Sequence, residues 1–336
     1  MRRNVLAALF ACTLSVGASA DDKAVADFYS KKTVTIAVGF SPGGNYDLYA
    51  RLVSRHIGQY IPGKPTVIVQ NIPGAGSRRL ANVVDRVGPH DGTFIGLPNQ
   101  GIPMDQAIGA EGVQFDARKF QWIGSPTEDV NVVWAWHTNP VKTIEDARQR
   151  EMIVGATGPG SPTHFYPRIM NTLIGTKFKV VSGYTGSSEL DLAIEKGEVG
   201  GRLVGWSSLK ITGDWVATGK AVVLIQIGLR KAPDLPKVRL VQELVTSEKD
   251  RQVLEYLSLT PAMGRPFFMS PSAPAERVAA IRRAFDATMK DRGFLDDARR
   301  AKLDVNPLSG AELARVVEKT FGARADVIAT AKAAME

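Results

Sequence analysis

The sequence predicts an α/β protein that contains two sheets, each flanked by helices. From about residue 33, short β-branched segments alternate with amphipathic segments, which is typical of repeated strand–loop–helix units. A length of 336 residues corresponds to roughly two domains. The sequence contains no low-complexity or Ser/Gly-rich linker. We therefore expect crossing strands or tight connections between the sheets rather than a flexible tether.

The first predicted unit is a strand over 33–38, followed by a turn-rich loop over 39–45 and a helix from Asp47. The strand is β-branched and apolar, and the loop contains Gly, Ser, Pro and Asn. The helix is indicated by apolar residues at a spacing of about 3.6: Leu48, Leu52, Val53, Ile57, Tyr60 and Ile61. The glycine-rich loop is therefore predicted to lead into the N-terminus of a helix.

The later strands are predicted from apolar or β-branched runs between turn residues. They are 66–70, 93–97, 130–136, 152–156, 178–181, 221–227 and 266–269. Helix starts are predicted at three capping boxes: Thr143 with Asp146, Ser188 with Asp191, and Ser309 with Glu312. The last box is predicted to open a long C-terminal helix. Repeated units of this kind favour mainly parallel sheets.

Two loops share the order Val-Gly-x-Ser/Thr-x-x-Gly, at 38–44 and 154–160, and the loop at 180–188 follows the same logic. Helix N-termini present free N–H groups and a partial positive charge, and glycine lets an anion approach the backbone. If these loops face one another, they are predicted to bind a carboxylate without an arginine. The alternative, that this composition only reflects ordinary βα turns, stays open at this point.

The N-terminus has the pattern of a secretory signal peptide. Arg2 and Arg3 precede an apolar run over 5–16, and Ala18-Ser19-Ala20 is a small-x-small cleavage site. The run is shorter than the roughly 20 residues of a spanning helix. We expect cleavage after Ala20 and a periplasmic protein. Removing residues 1–20 changes the net charge from +8 to +6, because two basic residues leave, and it removes the single cysteine.

Composition excludes several functional classes. A single cysteine excludes a disulfide framework and Cys-based metal clusters, and the four histidines lack metal-ligand spacing. No GxSxG, GxGxxG or Walker A motif is present. We therefore expect no cofactor, no metal and no catalytic residues, although a hydrolase that uses Ser161 and His164 is an alternative. Export and scattered basic residues argue against a nucleic-acid partner.

Six segments carry a resemblance to a known family: 38–51, which includes Ser-Pro-Gly-Gly, the Asn-Ile-Pro-Gly-Ala-Gly-Ser turn at 71–77, Pro-His-Asp-Gly-Thr at 89–93, and the segments 154–163, 183–186 and 264–268. In their order and spacing the chain resembles the solute receptors of tripartite tricarboxylate transporters, the Bug type. The resemblance covers nearly the whole chain from about residue 30.

The resemblance implies a two-lobed periplasmic binding protein of type II, Venus-flytrap-like, with a mixed sheet flanked by helices in each lobe. Residues 30–127 plus 230–336 are expected to form lobe 1, and 128–229 lobe 2. The implied function is capture of a small carboxylate and its delivery to membrane permease subunits. A sensory protein that presents its ligand to a signalling receptor is an alternative. We expect a monomer.

By matching position, the resemblance also implies a set of ligand-binding residues. They are Ser41, Gly43, Gly44, Asn45, Tyr46, Ser125, Thr127, Thr157, Gly160, Ser161, Thr163, Tyr184, Thr185 and Gly186. Two departures from the family pattern bear on the pocket. Asn45 stands where members commonly have glycine, and Gly200 stands where a Val-Asp-Gly aspartate is frequent.

Overall fold

The structure is a computed structural model that describes residues 16–158 and 161–335. The strands are β1 Thr33–Val38, β2 Thr66–Asn71, β3 Phe94–Leu97, β4 Gln121–Ser125, β5 Asn131–Trp136, β6 Met152–Ala156, β7 Phe178–Ser182, β8 Gly201–Gly205, β9 Ala221–Ile227, β10 Phe267–Met269 and β11 Leu308–Ser309.

The helices alternate with these strands along most of the chain. They are α1 Val16–Tyr29, α2 Asn45–Ile57, α3 Arg78–Arg86, α4 Ile102–Ala107, α5 Ile144–Gln149, α6 Pro162–Ile174, α7 Ser187–Glu195, α8 Trp206–Ile211, α9 Glu248–Leu257, α10 Leu259–Ala262, α11 Ala275–Thr288, α12 Arg292–Arg300, α13 Gly310–Phe321 and α14 Ala325–Met335. Short 3₁₀ turns lie at Ala75–Ser77 and Val241–Leu244.

Two mixed sheets form the framework. The first has the order β11-β4-β10-β3-β1-β2, in which β1 pairs in parallel with β2 and β3, and β10 runs antiparallel to its neighbours. The second has the order β7-β6-β8-β5-β9, with β6 parallel to β7 and β8, and β5 antiparallel to β8 and β9. The two mixed sheets flanked by helices that the resemblance implies are confirmed. The mainly parallel pairing predicted from the repeated units was wrong, because five of the nine strand pairings among the described residues are antiparallel.

Each sheet is covered on both faces. In the first, α2, α11 and α12 pack on one face of β1, and α3 and α13 pack on the other. In the second, α6 covers one face, and α7 and α8 cover the opposite face around Trp134. Burial on both faces explains why the strands appear in the sequence as continuous apolar runs rather than alternating ones.

The predicted strand positions agree with the observed ones to within a residue or two, and 33–38, 152–156 and 221–227 match at both ends. Three strands were not predicted: β4, β8 and β11. β4 and β8 both contain glycine, and β8 also contains Arg202, so neither has the continuous apolar pattern. β11 has only two residues.

The predicted capping boxes at Thr143 and Ser309 are present, each with reciprocal hydrogen bonds to the third helical residue. The prediction of a capping box at Ser188 was wrong. Gly186 is the N-cap of α7, and Ser188 lies inside the helix. The single long C-terminal helix was also wrong, because α13 ends before Gly322 and α14 begins at Ala325.

The strands of 33–125 and 267–309 lie in the first sheet, and those of 131–227 lie in the second. The lobe boundaries stay a prediction, and the packing differs from it in one respect. α9 and α14 were assigned to lobe 1, but Leu254 and Val327 bury against the core of the second sheet with Ile169 and Ile225. α14 packs against α6, and α9 packs against α14.

The predicted signal peptide lies mostly outside the described residues. α1 runs across the predicted cleavage site after Ala20, and cleavage stays a prediction. Within residues 16–158 and 161–335, no helix is long and apolar enough to cross a membrane.

Candidate functional site

A cavity of about 70 Å³ lies between the loops of the two sheets. Its lining combines both, with Phe40, Gly44, Asn45, Tyr46, Asn99, Gln100 and Arg265 from the side of the first sheet and Asn131, Thr157, Pro162, Thr163, Ser187, Arg202, Leu203, Val204, Gly205 and Ser208 from the side of the second. Because one water needs about 10–15 Å³ of such space, the cavity has room for about five to seven water-sized groups. Its size suits a small ligand.

Three helices of nine residues or more direct their N-termini at this cavity. Gly44 and Asn45 begin α2, Pro162 and Thr163 begin α6, and Ser187 begins α7. The first turn of each helix carries N–H groups without an intrahelical partner and a partial positive charge. The lining therefore favours a negatively charged group before any side chain is considered.

Arg265 is the centre of the polar network at the cavity. Its side chain is 2% exposed, and it forms an ion pair of 2.9 Å with Asp129. Nε donates to Asn45 Oδ1 at 2.7 Å, and Nη2 donates to the hydroxyls of Ser207 and Ser208 at 3.1 and 3.0 Å. Since Asn45 belongs to the first sheet's loops and the other three to the second's, Arg265 connects the two halves.

The rings of Tyr46 and Tyr49 lie 4.7 and 5.9 Å from the guanidinium carbon of Arg265. Burial opposes the charged form of this arginine, but the neighbouring groups, with Asp129 the foremost, together outweigh burial and raise the pKa of Arg265. Burial also raises the pKa of Tyr46, whose hydroxyl accepts a hydrogen bond from the Gln100 N–H at 3.2 Å. The arginine is thus charged and the phenol neutral at neutral pH.

A second buried arginine, Arg202, lines the cavity from β8. Nε donates to Asp191 Oδ1 at 2.9 Å, and Nη2 lies 2.7 Å from the same oxygen. Nη1 lies 3.4 Å from Ser187 Oγ at the start of α7. Among the described residues the lining contains two arginines and no aspartate or glutamate. Both guanidinium groups are already paired with the carboxylates of Asp129 and Asp191, so the preference for an anion comes from the helix N-termini, and carboxylate binding without an arginine stays a prediction.

Two buried amide nitrogens at the cavity lack hydrogen-bond partners among the described residues. Asn45 is 4% exposed and Asn131 is 1% exposed, and neither Nδ2 has an acceptor among the described residues. An unpaired buried donor is costly, because its interaction with water is lost without compensation. Since both residues line the cavity, both nitrogens are available to a ligand that brings acceptors.

The loop that carries Asn45 is held by Asp47. Its carboxylate accepts hydrogen bonds from the Gly43 N–H at 2.9 Å, from Arg51 Nε at 2.8 Å and from Asn71 Nδ2 at 3.0 Å. Burial alone would raise its pKa, but these donors outweigh burial and hold the pKa of Asp47 below its ordinary value. The ionised carboxylate therefore stabilises the loop around the start of α2.

The structure places five of the predicted ligand-binding residues on the cavity: Gly44, Asn45, Tyr46, Thr157 and Thr163. Tyr184 and Thr185 instead line an adjacent cavity of about 210 Å³ together with Thr157, which borders both.

Three further predicted residues lie where the facing loops meet. A Cβ on Gly186 would collide with Ser41 Oγ, and a Cβ on Gly43 would lie 3.3 Å from Ser188 Oγ. Ser41, Gly43 and Gly186 are therefore at a contact between the two halves rather than on the cavity lining. Glycine at these positions allows the backbones to approach closely.

Three of the remaining predicted residues form hydrogen bonds to backbone groups and do not line the cavity. Ser125 Oγ accepts a hydrogen bond from the Arg265 backbone N–H at 2.8 Å. Ser125 therefore positions a residue of the cavity lining without lining the cavity itself. Thr127 and Ser161 donate their hydroxyls to the backbone carbonyls of Glu128 and Gly158 at 2.9 and 2.8 Å. Gly160 lies outside the described residues.

The geometry does not favour the hydrolase alternative. His164 Nδ1 lies 2.7 Å from Ser182 Oγ. Ser161 Oγ instead donates a hydrogen bond to the Gly158 carbonyl oxygen and lies 2.7 Å from Thr163 Oγ1. A serine nucleophile needs a hydrogen bond to its base, and here the histidine is paired with a different serine. Within residues 16–158 and 161–335, no cluster of His, Cys, Asp or Glu has the arrangement of a metal site.

Sequence reasoning missed seven polar residues of the cavity lining: Asn99, Gln100, Asn131, Ser187, Arg202, Ser208 and Arg265. A usable signal exists for the arginines. Arg202 interrupts an otherwise apolar segment, and Arg265 stands between glycine and proline directly before an apolar strand. A charged residue inside an apolar run needs a buried partner, but the partners Asp191 and Asp129 are distant in sequence, and only the fold brings them together.

No protein-family model matches the chain. A search of curated proteins finds similarity to a UPF0065 protein in the gbd 5' region of Cupriavidus necator, with 24% identity over 261 residues that span 71% of this chain and 72% of the relative.

Solved structures are similar over most of the chain. BugD, a periplasmic binding protein, has a TM-score of 0.73 at 17% identity and covers 90% of this chain and 98% of its own. MatC from Rhodopseudomonas palustris, solved with malate, has a TM-score of 0.70 at 18% identity, with 90% and 99% covered. A protein from the same organism solved with adipate has a TM-score of 0.69 at 20% identity, with 90% and 98% covered.

These neighbours confirm the resemblance to Bug-type receptors that the six sequence segments predict. The chain has the two-lobed fold of the periplasmic solute-binding proteins, in the form shared by BugD and MatC.

Proposed function

We propose that the chain is a periplasmic solute-binding protein that captures a small carboxylate between its two lobes and delivers it to a tripartite tricarboxylate-type permease. The observation that carries this proposal is the cavity lining, which combines three helix N-termini with the unpartnered amide nitrogens of Asn45 and Asn131, beside two buried arginines that are each paired with an aspartate. A carboxylate supplies the negative charge and the acceptors that these groups need.

The fold supports the same function. The cavity lies between two separate sheets, and the loops at 41–44 and 186–188 touch beside it. A ligand held by both halves binds the closed arrangement better than an open one, and so it stabilises closure. A closed, loaded receptor is then the form that a permease would recognise. Export through the predicted signal peptide places this cycle in the periplasm.

The structural neighbours narrow the choice of ligands. One was solved with malate and another with adipate, both small dicarboxylates. We propose ligands of this size, because a cavity of about 70 Å³ leaves little room for a larger body.

Isothermal titration of the wild-type chain tests the proposal. The panel contains malate, succinate, adipate, citrate and benzoate, each beside its uncharged amide. We expect at least one carboxylate to bind and its amide to bind at least tenfold more weakly. Failure of every carboxylate to bind at millimolar concentration, or equal affinity for the amide, would contradict the proposal.

A pull-down against detergent-solubilised membranes tests delivery to a permease. We expect the carboxylate-loaded chain to retain permease subunits more strongly than the ligand-free chain. Retention of a signalling receptor in their place would identify a sensory protein instead.

A further inference from the structure

We propose that Arg265 sets the polarity of the amides around the cavity, so that the asparagine ends facing a ligand can only donate hydrogen bonds, and that the site thereby selects a deprotonated carboxylate. This inference rests on the proposed function and adds the residue that determines specificity. A guanidinium carries five N–H donors and no acceptor, so every group bonded to it must present an acceptor.

The first branch of this network runs through Asn45. Arg265 Nε donates to its Oδ1 at 2.7 Å, which fixes the amide with its oxygen toward the arginine. The Nδ2 group is therefore directed away from Arg265, and it is buried without an acceptor in the described structure. Turning the amide over would set two donors against each other inside a buried site.

The second branch runs through two amides. Arg265 Nη1 lies 3.4 Å from Gln100 Oε1, and Gln100 Nε2 donates to Asn131 Oδ1 at 3.0 Å. Each amide thus accepts on the side of the arginine and donates on the far side. Asn131 Nδ2 forms the end of this branch, and it is also buried without a partner among the described residues.

The third branch is the hydroxyl of Ser208, which accepts from Arg265 Nη2 at 3.0 Å and lines the cavity. A hydroxyl that accepts one hydrogen bond still has its own proton to donate. All three branches therefore end in donors. A carboxylate has only acceptors at neutral pH, whereas an amide or an ammonium group would place its N–H groups against these donors.

Aspartate substitutions at the branch ends give a direct test. N45D and N131D keep the oxygen that accepts from Arg265 or Gln100 but replace the donating nitrogen by an acceptor oxygen. We expect both variants to fold, each with a lower melting temperature than the wild-type chain, because the change buries a carboxylate. Each should bind the tightest carboxylate of the panel about 100-fold more weakly, because a donor becomes a like charge.

N82D is the matched control, since Asn82 lies outside this cavity and hydrogen-bonds to Gly112 and Gln114. We expect its affinity for that carboxylate to equal that of the wild-type chain. If N45D and N131D bind within threefold of wild type, the polarity proposal is wrong while the proposed function stands. If the wild-type chain binds no carboxylate, both are wrong.

Arg265 itself is tested by a change in selectivity. R265Q offers an oxygen to its neighbours, so the amides of Asn45 and Gln100 are free to turn over. We expect the preference for the carboxylate over its amide to fall at least tenfold in R265Q. R265K presents donors only, and it should keep that preference even where its affinity is lower. An unchanged preference in R265Q would by itself overturn the assignment of this role to Arg265.

Discussion

At the scale of the residue, the ion pair between Arg265 and Asp129 joins stability to binding. Asp129 also accepts hydrogen bonds from the N–H groups of Val130 and Ser207 and from the Ser207 hydroxyl. Its buried carboxylate therefore has three hydrogen-bond donors besides Arg265. Removing the cation leaves a buried negative charge without compensation, which is more costly than removing both charges.

We therefore expect R265A to lower the free energy of unfolding by about 3 kcal/mol in urea denaturation. The double variant R265M/D129L should recover most of this loss, because an apolar pair replaces the ion pair, but carboxylate binding should not recover. A double variant as unstable as R265A would contradict this account of the pair.

Asp47 gives a pH-dependent prediction at the same scale. The pKa of Asp47 is lower in the folded chain than its ordinary value of 3.8, so the ionised carboxylate stabilises the fold above about pH 4, and this contribution is lost as the pH falls through the folded pKa. The difference in unfolding free energy between the wild-type chain and D47N should be largest near pH 7 and shrink toward pH 3. A difference independent of pH would contradict this.

Local sequence pattern could predict the position of some residues of the cavity lining, but not how their polar groups are oriented. Gly44, Asn45 and Tyr46 follow β1 and begin α2, and local pattern is enough to place them at the head of a helix. Arg265 lines the same cavity and hydrogen-bonds to Asn45, from which it is 220 residues away in sequence. Local sequence pattern cannot predict a contact at that separation. The functional polarity of Asn45 depends on it.

At the scale of the element, the turn before β10 positions Arg265. Gly264 has a φ of +60°, and a Cβ there would collide with the carbonyl oxygen of Thr127, which belongs to the connection between the two sheets. Both the left-handed conformation and the close approach require glycine. This turn therefore fixes the arginine against that connection.

G264A should lower the free energy of unfolding by about 3 kcal/mol and weaken carboxylate binding as well. G112A is the matched control, because Gly112 has a φ of +79° but no neighbour within 4 Å of an added Cβ. It should cost about 1 kcal/mol and leave binding unchanged. Chemical denaturation and titration of both variants check this, and equal effects at the two positions would contradict the role of the turn.

Elements with a strong local signal were predicted well. The capping boxes at Thr143 and Ser309 are local hydrogen-bond patterns, and both are present. At Ser188 the same pattern failed because the N-cap lies at Gly186, where the backbone packs against Ser41 in the facing loop. β4 and β8 were missed because their stability comes from neighbouring strands and not from their own composition.

At the scale of the whole molecule, the cavity lies where loops of the two sheets meet. The loops at 41–44 and 186–188 are in contact beside this cavity. The number of sheets could be predicted from length and pattern. The packing of α9 and α14 against the second sheet could not, because an amphipathic pattern shows that a helix is buried on one face but not against which sheet.

The central claim is that a carboxylate binds between the two halves on donor groups oriented by Arg265. A crystal structure of the chain grown with the tightest-binding carboxylate of the panel tests this most directly. We predict carboxylate oxygens within hydrogen-bond distance of Asn45 Nδ2 and Asn131 Nδ2, with Arg265 still bonded to Asp129. A ligand bound outside this cavity, or one whose carboxylate contacts neither asparagine, would contradict the account.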